Sequence, residues 1–190
     1  MKKDLILCGV GGQGILSIAT IIGEAAVAAG LNLKQAEVHG MSQRGGSVES
    51  HLRLSDTTIC SDLIPRGEAD IIISMDSMEA LRYLPYLNAN GWVITSSLPF
   101  RNIPDYPEPA LGEVRALPHV KMLDIEQRAK ELGLTKGANV ILLGMAAANL
   151  GILTATQLRE AVSRIFASKG QTVVENNLKA FDAGLNAAES

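Results

Sequence analysis

The sequence predicts an α/β fold: a three-layer α/β/α arrangement around a mostly parallel, mixed sheet, with a helical carboxyl-terminal third. Two observations predict it. Short aliphatic runs, typical of buried parallel strands, recur up to residue 123 and alternate with helical segments. Beyond residue 137 only helical patterns follow. At 190 residues the chain can bury a core of its own, so we expect a single domain over 1–190.

The first half opens as a Rossmann-like strand–helix–strand unit. Residues 4–8 (DLILC) form a short apolar run that ends in glycines, which is typical of a buried strand. Small and aliphatic residues from 12 to 29 recur at helical spacing and predict a helix. Residues 33–38 predict the second strand, and together the three segments form a βαβ unit.

A hairpin is the next predicted element. Residues 47–54 and 57–61 are both β-like, and Ser55 and Asp56 lie between them as a turn. Antiparallel pairing at this point would make the sheet mixed. His51 alternates with its neighbours on the first of these strands, which predicts an exposed position.

The remaining elements complete the sheet and add the helical third. Strands are predicted at 70–74, after Gly91 (WVIT) and at 119–123; helices at 77–87, near 124–133, and at 138–150, 154–167 and 172–188. The run Ser74-Met75-Asp76-Ser77 is expected to cap the helix that follows it, and Thr154 and Thr172 are expected to cap two later helices. Residues 99–109 contain four prolines and predict a loop. The apolar segment 138–150 contains Asn and Gly, so we expect a buried helix rather than a membrane span.

Charge and cysteine content exclude several classes of function. Lys and Arg total 17 against 20 for Asp and Glu, so the net charge is −3, and nucleic acid is not an expected partner. Cys8 and Cys60 are the two cysteines and no CxxC is present, so the chain alone lacks the thiolates of an iron–sulfur cluster. We expect no metal site in the chain and a reducing, cytoplasmic location.

A glycine turn follows the first strand. It matches G-x-G-x-x-G, with Glu37 placed near the end of the second strand. Glycines there allow a tight turn, and the helix amino terminus offers N–H groups to an anion. The spacing suits NAD or FAD, but glycines that only pack a strand on a helix would give the same pattern. The turn consists of Gly9, Gly11, Gly12, Gln13 and Gly14.

A second polar motif follows the second strand, in the run HGMSQRGG over 39–46. An Arg fork beside glycines, with Ser and Gln close by, suits capture of an anion. The alternative is a loop that needs glycine for its shape and leaves Arg44 in water. The candidate residues are His39, Ser42, Gln43, Arg44, Gly45 and Gly46. Neither a G-x-S-x-G elbow nor a G-x-x-x-x-G-K-[ST] loop occurs, so we assign no catalytic residue.

Four segments together resemble one known family. They are GVGGQG (9–14), EVHGMSQRGGSVESHLRL (37–54), ADIIISMD (69–76) and NVILLGMAAANLG (139–151). The combination resembles the gamma subunit, or gamma domain, of the 2-oxoacid:ferredoxin oxidoreductases. HGMSQRGG is most similar to the small-subunit branch of the indolepyruvate enzymes. The resemblance covers nearly the whole chain except 97–118 and identifies 1–190 as one pyruvate/ketoisovalerate oxidoreductase gamma-type domain.

The resemblance implies an accessory subunit that is inactive alone. Enzymes of this family oxidatively decarboxylate a 2-oxo acid, join the acyl group to coenzyme A and pass electrons to ferredoxin. Thiamine diphosphate, Mg²⁺ and iron–sulfur clusters would then belong to large catalytic partner subunits. This chain would bind no cofactor by itself and would contact ferredoxin only indirectly. With 47% hydrophobic residues, the isolated chain is expected to self-associate, in the simplest case as a homodimer.

The resemblance also assigns a surface and narrows the substrate. The glycine turn and the run 42–46 would form either a ligand site or a subunit interface. Many pyruvate-type relatives carry an acidic residue where Gln43 stands, so an aryl or branched 2-oxo acid such as indolepyruvate is favoured over pyruvate. The alternative function is a free-standing NAD(P)- or FAD-binding Rossmann-type protein. Against it, the Gln43–Gly46 run has no role in dinucleotide binding and no second domain is available.

Overall fold

The computed structural model describes residues 1–39, 45–99, 109–134 and 136–189. This part of the chain forms six strands and seven α-helices. The strands are β1 (Lys2–Val10), β2 (Asn32–His39), β3 (Ser47–Ser55), β4 (Ala69–Ser74), β5 (Leu87–Ser96) and β6 (Val120–Leu123). The helices are α1 (Ile15–Ala28), α2 (Ser77–Tyr83), α3 (Pro109–Arg115), α4 (Ile125–Glu131), α5 (Ala138–Leu150), α6 (Ala155–Phe166) and α7 (Gln171–Glu189).

The strands form one mixed sheet in the order β2-β3-β1-β4-β5-β6. β1, β4, β5 and β6 are parallel, whereas β3 runs antiparallel to both β1 and β2. The predicted mixed, mostly parallel sheet is therefore confirmed. The direction in which successive strands are added to the sheet reverses between β1 and β4. After β1 the chain crosses through α1 to β2 on one side of β1, and after β4 it crosses through α2 to β5 on the other side. Open α/β sheets bind ligands at the carboxyl edge beside such a reversal.

Helices cover both faces of the sheet, which confirms the three-layer architecture. One face buries Leu5, Leu7, Ile71 and Ile73 against α1 and the helices of the carboxyl-terminal third. The other face buries a smaller set of strand residues, including Ile6 and Ile72, against α2 and α3. The larger core explains why α5 is apolar almost all round: it packs on the sheet, on α1 and on α7 at once.

The predicted hairpin is wrong. Residues 57–61 form no strand, and β3 pairs instead with β2 through the connection at 40–46, with Asn32 opposite Ser55 and His39 opposite Val48. The segment after β3 is held by Arg53, whose Nη1 donates to the carbonyls of Ser61 and Leu63 at 3.1 and 2.9 Å. These bonds fix 61–63 as a loop against the end of the sheet.

Two expected helix caps are confirmed and one is displaced. Asp76 accepts hydrogen bonds from the Met78 and Glu79 amides, and Thr154 forms a capping box with Gln157. α7 begins at Gln171, so Thr172 lies in its first turn rather than before it. In the described part of the chain, no helix combines the length and apolar content needed to cross a membrane.

Candidate functional site

The glycine turn lies at the carboxyl edge of the sheet, between β1 and α1. Gly14 directly precedes α1 and has φ +82°, a left-handed conformation that glycine adopts without strain. The Gln13 side chain folds back and accepts from the Val10 amide at 2.7 Å, while the Gln13 amide donates to the Val10 carbonyl at 3.1 Å. Gln13 thus stabilises the turn through hydrogen bonds within the turn itself.

The turn is also tied to the carboxyl-terminal third. Asn139, at the start of α5, donates from Nδ2 to the Gly14 carbonyl at 3.1 Å and accepts from the Val140 amide at 3.0 Å. A Cβ on Gly14 would come within 2.8 Å of that Nδ2. Gly14 is therefore required both for its φ and for the close approach of α5.

The structure brings the two glycine motifs into direct contact. The Gly11 amide donates to the Gly46 carbonyl at 2.8 Å, and the Gly45 amide donates to the Gly11 carbonyl at 3.3 Å. These bonds extend the β1–β3 ladder, in which Val10 lies opposite Ser47. Ser42, Gln43 and Arg44 lie outside the described residues, as do Gly40 and Met41.

A pocket of about 370 Å³ opens beside the turn. Its walls are glycine backbone and mainly aliphatic side chains, with one carboxylate; they comprise Val10, Gly11, Gly12, Gly14, Ile15, Leu16, Glu37 and Val48. Leu16 is exposed at the pocket, and Val38 and Leu98 are exposed at the carboxyl ends of β2 and β5. The carboxyl edge thus presents apolar side chains as well as backbone, a composition that suits contact with another protein surface.

Directly after Gly46 lies a polar cluster that sequence reasoning missed. The Ser47 hydroxyl, at the start of β3, donates to Glu79 Oε2 at 2.6 Å and lies 3.3 Å from the Tyr83 hydroxyl. Glu79 is only 4% exposed and also accepts from Arg82. Burial is the main cause that raises the pKa of Tyr83, which keeps its hydroxyl protonated. The spacing Asp76-x-x-Glu79 signals a helix start, but nothing local signals that Glu79 is buried.

His51 is buried, not exposed as its alternation predicted. Only 2% of the residue is accessible, and its Nδ1 accepts from the Ile64 amide at 3.0 Å. Burial is the main cause that lowers the pKa of His51, with Glu49 opposing it from 3.8 Å. The ring therefore acts as a neutral hydrogen-bond acceptor that holds the loop after β3.

The thiol nearest the turn is held in a protonated form unsuited to nucleophilic chemistry. Cys8 is fully buried next to the turn, and burial raises the pKa of its thiol well above the usual range. Among the residues that the structure describes, no three His, Cys, Asp or Glu side chains are grouped as a metal site would require. The site therefore consists of the backbone of the glycine turn and the apolar pocket beside it.

Comparison with known proteins points to one family. The family model described as pyruvate ferredoxin/flavodoxin oxidoreductase matches residues 4–187. The chain is 38% identical to the indolepyruvate oxidoreductase subunit IorB of Archaeoglobus fulgidus, over 100% of this chain and 97% of that protein. It is 36% identical to the subunit of the same name from Pyrococcus horikoshii, over 100% and 98%.

Solved structures share the fold. The gamma subunit of a keto/oxoacid ferredoxin oxidoreductase from Geobacter sulfurreducens superposes with a TM-score of 0.72 at 23% identity, covering 98% of both chains. A 2-oxoglutarate:ferredoxin oxidoreductase from Magnetococcus marinus superposes with a TM-score of 0.77 at 22% identity, covering 99% of this chain and 31% of that one. The match of the family model along 4–187 and the full-length IorB relatives show that the chain belongs to the pyruvate ferredoxin/flavodoxin oxidoreductase family.

Proposed function

We propose that this chain is the small subunit of a coenzyme A-acylating indolepyruvate:ferredoxin oxidoreductase. The observation that carries the proposal is the end-to-end identity of 34–38% with four proteins named indolepyruvate oxidoreductase subunit IorB. Relatives named 2-oxoglutarate synthase subunit KorC are more distant, at 25–27% identity. This difference in sequence identity favours an aryl 2-oxo acid over a short dicarboxylic one as the substrate.

The chemistry of such a complex would come from its large partner. A cluster with four Cys ligands needs more thiolates than the two cysteines of this sequence can give. Thiamine diphosphate, Mg²⁺ and the iron–sulfur clusters are therefore assigned to the large subunit, and ferredoxin reaches this chain only through it. Two relatives contain the matching region as about a third of a longer chain, which supports a domain that works beside others.

The carboxyl edge is the surface that we assign to the large subunit. Its support is the joining of the two glycine motifs, the pocket beside the glycine turn with Leu16 exposed at it, and the exposure of Val38 and Leu98 elsewhere along the same edge. Coenzyme A is the ligand that the edge would border, since the Magnetococcus marinus structure is described with coenzyme A and succinyl-CoA bound. Under this assignment Arg44 would bind either an anionic group of coenzyme A or the partner protein. A cytoplasmic complex and self-association of the chain without its partner belong to the same proposal.

Dinucleotide binding has less support from the fold. In a dinucleotide-binding domain the strand that carries the ribose-binding carboxylate is adjacent to the strand that ends in the glycine turn. Here β3 lies between them, so β2 and its Glu37 stand two strand spacings, about 10 Å, from β1.

Co-purification tests the proposed function. The chain, tagged in its source organism and isolated without oxygen, should bring down one large polypeptide rich in CxxC motifs in a fixed ratio. Mass spectrometry would identify it. Recovery of the chain alone, or with partners that contain neither cluster motifs nor a thiamine diphosphate motif, would refute the subunit assignment.

A further inference from the structure

A buried carboxylate lies beneath the carboxyl edge without touching its surface. Glu79 occupies the first turn of α2, and its amide is fixed on the Asp76 side chain at 3.2 Å. Its carboxylate receives Arg82 Nε at 3.2 Å and Nη2 at 3.3 Å. The same carboxylate takes the Ser47 hydroxyl at 2.6 Å, the shortest of its hydrogen bonds. A buried carboxylate that accepts hydrogen bonds from both Arg82 and Ser47 has little freedom to reorient, so it also holds the Ser47 side chain in one position.

Ser47 connects this carboxylate to the glycine motifs. It is the first residue of β3, lies opposite Val10 and follows Gly46 directly. Gly45 and Gly46 are the two residues whose backbones bond to Gly11. Glycines impose little conformational restriction of their own, so the position of this short backbone stretch depends on its neighbours.

We propose that Glu79 is a positioning residue of the candidate site: through Ser47 it holds the backbone of Gly45 and Gly46 against Gly11. Glu79 is too deeply buried to contact a partner protein or a ligand, so any effect on the site passes through the glycines. The contact from Glu79 through Ser47 to the glycines lies wholly within this chain, whereas its consequence for assembly rests on the proposed function.

Amide hydrogen exchange on the full-length chain tests whether Glu79 and Ser47 hold the glycine backbones together. We expect Glu79→Gln, which replaces a charged acceptor with a neutral one, to speed exchange at the Gly11 and Gly45 amides about tenfold. Ser47→Ala removes the same contact from the other side and should have a similar effect, with the double variant adding little more. The Val93 amide, which donates to the His119 carbonyl far from the site, is the internal reference and should not change.

Glu131→Gln is the matched control. Glu131 belongs to a seven-residue helix like that of Glu79 and pairs with Arg128 three residues earlier, but it is exposed and far along the chain from the glycine motifs. This variant should leave all three amides at the wild-type rate. Unchanged exchange at Gly11 and Gly45 in Ser47→Ala would overturn the proposal, and so would equal acceleration at Val93, which marks general loosening. If Glu79→Gln does not fold, Ser47→Ala decides alone.

Assembly with the large subunit tests the consequence. The concentration of chain that half-saturates the large subunit should rise about tenfold in Ser47→Ala and Glu79→Gln, and turnover at saturation should match wild type. Faster glycine exchange with an unchanged half-saturation point would overturn the positioning role at the site. A wild-type chain that does not bind the large subunit would instead refute the proposed function, while the exchange result would still decide whether Glu79 holds the glycines.

Discussion

Single residues with two constraints set the geometry of the carboxyl edge. Gly14 needs both its left-handed φ and the space that Asn139 occupies, and Ser47 joins a buried carboxylate to the start of β3. The sequence predicts the need for glycine at position 14, because this glycine spacing after a strand is a known turn motif. It does not predict the contacts of Asn139 with Gly14 and of Glu79 with Ser47, because these pairs are 125 and 32 residues apart in the chain.

Replacing Arg44 tests the second polar motif at the level of a single residue. If its guanidinium binds an anion of coenzyme A, Arg44→Ala in the assembled complex should raise the Michaelis constant for coenzyme A about ten- to a hundredfold, the equivalent of a charge-assisted hydrogen bond of about 1.5–3 kcal/mol. Arg44→Lys should recover part of the loss. An unchanged Michaelis constant with weaker subunit assembly would assign Arg44 to the interface, and normal values of both would make it a solvated residue without a role.

His51 should make the fold sensitive to acid. Its pKa is lowered in the folded chain, so the unfolded chain binds more protons once the pH falls below about 6.5. The free energy of unfolding should therefore fall with decreasing pH in that range, as protonation competes with the Ile64 amide for Nδ1. Urea unfolding of wild type and His51→Asn at pH 7.5 and 5.5 would measure it. Equal losses in the two proteins would show that His51 does not contribute.

At the scale of elements, patterns within a segment predicted well and pairings between segments did not. The positions of β1, α1, β2, β4 and α5 follow from apolar runs, helical spacing and glycines. The hairpin was wrong because β propensity at 57–61 cannot show that Arg53 holds the carbonyls of 61 and 63. β3 is antiparallel to both of its neighbours, β1 and β2, and it is β2 that precedes it in the chain, across the connection that carries the second motif. Tertiary contacts outweighed local propensity there.

The packing of α5 on α7 gives a prediction for stability. A Cβ on Gly184 would lie 1.9 Å from the Ile141 carbonyl oxygen, a backbone atom that cannot move without its helix. Gly184→Ala should therefore lower the free energy of unfolding by about 2 kcal/mol or more, despite the better helix propensity of alanine. The matched control is Gly112→Ala in α3, where a Cβ would meet open space. Denaturant unfolding measures both, and equal stability of the two variants would contradict the close crossing.

The whole molecule is a familiar α/β layout altered at one place, the insertion of β3 between β1 and β2. Composition and strand runs predicted the layers, and the four quoted segments predicted the family that the comparisons confirm. The role of the edge was not decidable from sequence, because a glycine motif that binds an anion and one that packs against a partner have the same residues. The structure adds an apolar pocket with Leu16 exposed beside it, and under the proposed function these favour a protein partner.

The inserted strand predicts the absence of tight dinucleotide binding. With β3 in between, Glu37 is about 10 Å from the strand that ends in the turn, so the ribose and diphosphate contacts would not have the spacing that they have in a dinucleotide-binding domain. Calorimetric titration of the isolated chain with NADH and with FAD should give no saturable micromolar isotherm. Micromolar binding of either would favour the alternative function.

Reconstitution of activity is the most direct test of whether this chain is a required subunit that is inactive alone. Purified chain, purified large subunit, indolepyruvate, coenzyme A and a viologen dye are combined without oxygen, with each protein also assayed alone. We expect reduction of the dye and formation of the acyl-coenzyme A only with both proteins, rising with added chain to a plateau at a fixed ratio. Turnover by this chain alone, or full turnover by the large subunit without it, would show that the chain is not such a subunit.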